Sequence, residues 1–270
     1  MRNYSQTLFL FCLFTILGTI GYSQQINQLD GKGKKTGLWE TKYANDSIKS
    51  KGYYKDGKAV GLWTYYYDSG ELMAYMEHLT DGVTCNFKLF DPSGPRIAEG
   101  LYLNGKKDGE WHYYGVDSSK VMDETYLKGI KTGEEKVYYP KTGKLFQTIN
   151  YKDGKKNGWW KQFYPDGILK TDGTYVNDTL NGKSTYYHTN GKKNLEGNNI
   201  RGLRDGEFFV WDDKGKLIET LHYKMGILDE KDLKRHLEPD YQKTYPEDVI
   251  YQGGFEQYNP NYSGGGGGGY

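Results

Sequence analysis

Short runs rich in Tyr, Trp, Phe, Thr and Val alternate along this chain with polar clusters such as Asp68-Ser-Gly70, Pro165-Asp-Gly167 and Asp213-Lys-Gly215. Aromatic and β-branched residues suit a pleated strand, while Gly, Asn and Asp accept the backbone of tight turns. A second set of turn signals, Asp56-Gly57-Lys58, Asn104-Gly105-Lys106 and Asp153-Gly154-Lys155, joins one pair of runs to the next. Two strands and two tight turns per period predict tandem β-hairpins, and turns this short force antiparallel neighbours.

The period itself is strict. A glycine recurs at Gly37, Gly61, Gly109, Gly133, Gly158, Gly182 and Gly206, with Cys85 in the remaining place, in steps of 24 residues apart from one step of 25. Such regularity marks a repeat protein, in which one small unit is copied and stacked. Two residues after the register position stand Trp39, Trp63, Phe87, Trp111, Trp160 and Phe208, with Glu135 and Ser184 as exceptions. Five or six residues after it come Tyr43, Tyr66, Phe90, Tyr114, Tyr138, Phe163, Tyr187 and Trp211. The return strand carries Tyr54, His78, Tyr102, Tyr126, Tyr151, Tyr175, Asn199 and Tyr223. The longer step has a local cause: Tyr139-Pro-Lys-Thr-Gly143 holds one more turn residue than Tyr67-Asp-Ser-Gly70.

These positions predict an all-β fold: an elongated, single-layer antiparallel sheet of about eight tandem hairpins over residues 31–228, closed by a short C-terminal helical cap. Two strands about 4.8 Å apart advance the sheet by about 9.6 Å per unit. Asp229 to Leu237 reads as a short helix ended before Pro239, placed to cover the last strand edge within an extension over 229–262. Residues 263–270 form a glycine-rich tail.

At the other end, Thr7 to Gly21 is an apolar segment behind Arg2, with small residues before a cut after Ser23, so residues 1–23 read as a secretory signal peptide. The expected chain is exported to the periplasm, cell surface or medium, with no transmembrane segment after cleavage. Cys12 leaves with the leader, and Cys85 then stands alone as a small buried residue rather than half of a disulfide.

Composition narrows the function. The 270 residues include 37 Gly, 27 Tyr and 6 Trp, and the mean hydropathy is -0.85. Aliphatic residues are scarce, so aromatic rings must supply most of what is buried. Lys+Arg total 36 and Asp+Glu 35, a balance that argues against nucleic acid as a partner.

Gly61-Leu-Trp-Thr-Tyr-Tyr-Tyr-Asp-Ser-Gly70, Gly109-Glu-Trp-His-Tyr-Tyr and Tyr151-Lys-Asp-Gly-Lys-Lys-Asn-Gly158-Trp resemble the MORN-repeat variant, a unit of many exported bacterial proteins, some labelled YwqK-type antitoxins. The resemblance runs from about Gly31 to Leu228, with the units around Cys85 and Asp178 departing furthest. It implies a hairpin sheet used for protein–protein contact, scaffolding or, in eukaryotic relatives, lipid association. The antitoxin label fits poorly with an export signal.

Catalytic chemistry is not written in the motifs. His78, His112, His188, His222 and His236 lack metal-ligand spacing, and no nucleophile elbow, zinc helix or phosphate loop is present. Adjacent acids such as Glu134-Glu135 point to opposite faces of a strand and make a poor acid–base couple. No catalytic residue, cofactor or metal is expected. Two features suggest binding. One is an aromatic set, Trp39, Trp63, Trp111, Trp160, Tyr66 and Tyr114, suited to a protein partner or to envelope glycan. The other is a lysine ridge on the inter-unit turns: Lys34, Lys35, Lys58, Lys106, Lys107, Lys131, Lys155, Lys156 and Arg204, diluted by Asp56, Asp108, Asp153 and Asp205. The ridge reads as a solvated surface that opposes aggregation. The leading expectation is a non-catalytic scaffold for protein–protein interaction. The alternatives are an envelope-glycan module and an antitoxin-like partner-binding protein.

Overall fold

Aromatic strands separated by two sets of turns do form hairpins. The structure, a computed structural model, describes residues 25–236. The expected leader with Cys12, the chain beyond His236 and the glycine-rich tail lie outside the described residues. Unit 1 runs out along Lys35–Lys42 and back along Ile48–Lys55; unit 2 is Lys58–Tyr66 and Leu72–His78. Units 3 and 4 are Thr84–Phe90 with Arg96–Leu103, and Lys106–Tyr114 with Lys120–Leu127. Units 5 and 6 are Ile130–Tyr138 with Leu145–Lys152, and Lys155–Phe163 with Leu169–Val176. Unit 7 is Gly182–Tyr187, led in by Thr179–Leu180, with Lys193–Ile200; unit 8 is Leu203–Trp211 with Leu217–Lys224.

Each strand pairs antiparallel with the strand before and after it in sequence, so the chain is a meander without crossovers. The described residues form a single open sheet of 19 strands. They include no helix long and apolar enough to cross a membrane.

The register glycine has a specific backbone task. Across the joint between units 1 and 2, Lys51 pairs with Thr64 and Tyr53 with Val60, so Gly61–Trp63 face the single residue Gly52. The outgoing strand is bulged by two residues there, and Gly61 takes a φ of 62°, a left-handed conformation that costs a residue with a Cβ about 1–2 kcal/mol. The two-residue turn before the bulge, Asp56-Gly57, has positive φ at both positions, 52° and 81°. That is the primed turn whose twist matches a hairpin.

Unit 3 solves the same problem without glycine. Cys85 pairs directly with His78, and the ladder runs unshifted to Ala74–Leu89. The turn is instead longer: Leu79 N donates to Thr84 O at 2.9 Å around Thr80–Val83. The two residues absent from the bulge have moved into the turn, so the period stays at 24. Cys85 is buried, and burial pushes its thiol pKa up.

The mid-unit turns are tied across units by tyrosine hydroxyls. Tyr43 donates to the carbonyl of Tyr66 at 2.8 Å, Tyr67 to Phe90 at 2.8 Å, Tyr139 to Phe163 at 2.7 Å and Tyr164 to Tyr187 at 2.7 Å. The two sequence offsets of five and six residues therefore belong to different rows. Tyr139 N reaches over to Lys144 O where Tyr67 N reaches Glu71 O, which accounts for the 25-residue step.

Both outer strands are covered. At the first, the side-chain amide of Asn27 imitates a neighbouring strand: its Oδ1 accepts from Glu40 N at 2.9 Å and its Nδ2 donates to Glu40 O at 3.0 Å. At the last, the helix Glu230–His236 lies against Leu217–Lys224. The Asp232 carboxylate accepts from His222 N at 2.8 Å, and Glu219 contacts Arg235 and His236 at 3.1 Å each. The helix is the edge cover that the sequence predicts.

Candidate functional site

A single sheet has two faces, and the repeat gives each its own rows. The first face carries the residues two places after the register position. Within each unit they pair with a return-strand residue: Trp39 with Gly52, Trp63 with Met76, Phe87 with Gly100, Trp160 with Gly173 and Phe208 with Leu221. Large rings alternate with small or flexible side chains across the sheet, and the indoles spread over the glycines. Return-strand tyrosines meet the rings edge-on: Tyr54 lies 5.5 Å from Trp39 and 5.0 Å from Trp63, and Tyr102 lies 5.0 Å from Trp111. Such pairs contribute about 0.5–1.5 kcal/mol each beyond area burial.

This packing decides how the predicted contact residues divide. Trp63, Trp111 and Trp160 are only 5%, 1% and 5% exposed; Trp39, nearer the sheet's end, is half-buried. Their polar edges are also occupied: the indole N–H groups of Trp63 and Trp111 donate to the carbonyls of Tyr53 and Leu101, both at 3.1 Å. A row open to sugar is one expectation for these tryptophans; as packed, Trp63, Trp111 and Trp160 offer no free flat surface for a sugar ring. The cause is the glycine opposite each ring, which lets the indole lie flat on the backbone.

The lysine ridge also divides. Strand neighbours point to opposite sides, so Lys58, Lys106 and Lys155 are exposed while Lys107, Lys131, Lys156 and Arg204 lie over rings of the first face. Lys107 Nζ stands 4.2 Å from the Trp111 ring, and Lys131 Nζ 4.2 Å from that of Tyr151. Burial pushes the pKa of Lys107 down, against an opposing pull from Glu124.

Between units 4 and 5 the ring row is replaced by charge. Glu124 and Glu135, each 8% exposed, occupy the positions of a Gly–Trp pair. Lys131 bridges them, 2.6 Å from Glu124 and in short contact with Glu135. Tyr126 donates to Glu124 at 2.7 Å, which with burial pushes the tyrosine up to about 12. Burial opposes ionisation of Glu124, but Lys131 outweighs it and its pKa is lowered. Burial likewise disfavours the charged form of Lys131, and the two carboxylates reverse that and raise its pKa. The cluster is mutually satisfied, and the described residues hold no group of acids, histidines or cysteines arranged for a metal ion.

The second face carries a different row. From unit 2 onward Tyr66, Phe90, Tyr114, Tyr138, Phe163, Tyr187 and Trp211 follow one per unit, each half-buried. Each pairs with the residue that opens its return strand, such as Leu72, Arg96 or Lys120. Arg96 lies 4.4 Å over the Tyr114 ring and 2.6 Å from Glu99, and Tyr114 donates to that same carboxylate at 2.6 Å. Beside it, Asp123 takes the hydroxyl of Tyr138 at 2.6 Å and His112 Nδ1 at 2.6 Å. Burial works against ionised Asp123, yet these bonds lower its pKa. Tyr66 and Tyr114 therefore stand apart from the tryptophans, in a row of partly open rings flanked by paired charges. The neighbouring rings Phe90, Phe163 and Trp211 belong to it through their shared offset.

The family model of the MORN repeat variant matches residues 35–56, 59–78, 131–153, 156–177 and 204–225. These are units 1, 2, 5, 6 and 8. Units 3, 4 and 7 are unmatched: in unit 3 Cys85 replaces the glycine and in unit 7 Thr179–Leu180 interrupts the strand, while unit 4 keeps Gly109 and Trp111. No curated protein matches the chain. Among solved structures, similarity is found to one described as the crystal structure of TarM, at 17% identity over 35% of this chain and 20% of that one, with a TM-score of 0.27. An S. aureus TarM mutant in complex with fondaparinux, alpha-GlcNAc-glycerol and UDP is 12% identical over 53% of this chain and 21% of that one, with a TM-score of 0.23. A TcdB2-TccC3-Cdc42 structure is 11% identical over 75% of this chain and 12% of that one, with a TM-score of 0.19. The chain thus spans about a fifth or less of the length of each, and scores this low establish no shared fold.

Proposed function

We propose, from the premise that this chain belongs to the MORN repeat variant family, that it is an exported, non-catalytic scaffold that binds a protein partner along the second face. The observation that carries this reading is the contrast between the two ring rows. One is spent on holding the sheet together, with Trp111 and Phe208 almost wholly covered. The other repeats once per unit and stays partly open. Aromatic rings that are half-covered and flanked by paired charges supply contact area at little entropic cost and are enriched in protein interfaces.

The buried charges are consistent with a structural rather than a catalytic role. Lys131 is ion-paired to both Glu124 and Glu135, so these three charges are engaged with one another. Export rests on the apolar leader at residues 1–23.

The test is affinity capture from envelope extract with the full chain as bait, compared with Phe163→Ser and Trp211→Ser variants. A protein retained by the parent and lost from both variants supports the scaffold reading. Identical captures by all three, or none by the parent, overturn it.

A further inference from the structure

The second-face rings recur once per unit, and a unit advances the sheet by two strand spacings, about 9.6 Å. A chain lying along this row crosses the strands. In β conformation it would present a side chain to the row about every 6.6 Å, and in an α-helix about every 5.4 Å per turn. A polyproline II helix has three residues per turn and a rise of about 3.1 Å, so every third residue faces the same way at about 9.3 Å. Of the three, only that last period meets every ring; the β period falls in step with alternate rings alone.

Charge adds a second requirement. Between Phe90 and Tyr114 the row opens into a hollow lined also by Lys88, Arg96 and Ser118. The lining holds Lys88 and Arg96 and no carboxylate; Arg96 is ion-paired to Glu99, which leaves Lys88 as the charge to be matched. Glu99 holds the Arg96 guanidinium from outside the hollow, against the Tyr114 ring. An acidic side chain is the complementary occupant.

We propose that the second face binds a proline-rich, acidic segment in polyproline II conformation, with prolines at every third position over successive rings and a carboxylate in the Lys88–Arg96 hollow. This rests on the scaffold reading above and names its ligand class. Prolines pack their flat rings on the aromatic faces, and a pre-ordered ligand loses little entropy on binding.

The test uses fluorescence anisotropy with the full chain and three labelled peptides: (Pro-Pro-Glu)6, the period-four control (Pro-Pro-Glu-Ser)5 and the charge control (Pro-Pro-Lys)6. The expected result is that the first binds at least tenfold more tightly than either control. The Lys88→Gln/Arg96→Gln double variant, with an unchanged circular dichroism melt, should lose at least tenfold for the first peptide alone. Equal affinity for period three and period four, an unaffected double variant, or no binding at millimolar peptide overturns the proposal. If the peptides fail while a captured protein still depends on Phe163 and Trp211, the ligand class falls and the scaffold reading stands. If both fail, both fall.

Discussion

The indole of Trp111 lies directly on Gly100: a Cβ at Gly100 would stand 2.4 Å from Cδ2 of that ring. The same relationship joins Gly52 to Trp63, at 2.2 Å, and Gly197 to the Phe208 ring, at 2.4 Å. The first face is thus built from flat rings on bare backbone. Gly100→Ala should cost about 1–3 kcal/mol through overpacking, and Trp111→Ala about 3–5 kcal/mol. Contact makes the two non-additive: in the Trp111→Ala background, Gly100→Ala should cost much less. A double-mutant cycle by urea denaturation checks this, and additive losses would contradict it.

Gly109 fails for a different reason. Nothing lies within 4 Å of a Cβ there, but its φ is +68°. Gly109→Ala should lose about 1–2 kcal/mol from backbone strain alone, and Gly109→Asn should lose less, since Asn enters the left-handed region more readily. If Ala and Asn destabilise equally, the bulge is not what requires glycine.

The hairpin repeat was legible because turn residues and aromatic runs are local signals. The positions five and six after the glycine looked like one row, since period alone does not reveal that a strand's neighbours face opposite ways. Tyr43 belongs to the turn ladder and Tyr66 to the second face. The burial of Trp63, Trp111 and Trp160 was hidden for a related reason: it depends on glycines such as Gly100 that lie across the sheet, on the return strand of a neighbouring unit or, as Gly173 does for Trp160, of the same one. The bulge at the register glycine could have been found from the way Cys85 coincides with a longer turn, Leu79 to Val83.

The charged interruption of the first face makes a testable exception. Lys131→Met leaves Glu124 and Glu135 buried beside each other without the cation that bridges them, which should cost about 3–5 kcal/mol. Glu124→Gly with Glu135→Trp, which restores the pair used elsewhere in the row, should tolerate Lys131→Met and recover most of that loss. The parent also carries a pH signature. The Glu124 pKa is lowered in the fold, so its contribution is present above the unfolded carboxylate range and lost as pH falls through the folded value. The Lys131 pKa is raised, so the same interaction is lost again as pH rises past the ordinary lysine range. The denaturation midpoint should fall at both extremes in the parent and more shallowly in the uncharged triple variant.

The helix Glu230–His236 protects an edge. Asp232→Ala removes the acceptor for His222 N and frees that end of the last strand for pairing with another chain. Analytical ultracentrifugation should show concentration-dependent self-association of Asp232→Ala beyond that of the parent. Identical sedimentation would mean that the helix is not the edge cover.

The function itself is best tested by where a partner touches. Photo-cross-linking amino acids placed singly at Phe90, Phe163 and Trp211 on the second face, and on the first at Lys35, over the Trp39 ring, and at Tyr65 and Tyr113, beside Trp63 and Trp111, report the face in contact within native cells. The account predicts a shared cross-linked protein from the second-face positions and none from the first. Cross-links confined to the first face, or spread equally over both, would contradict it.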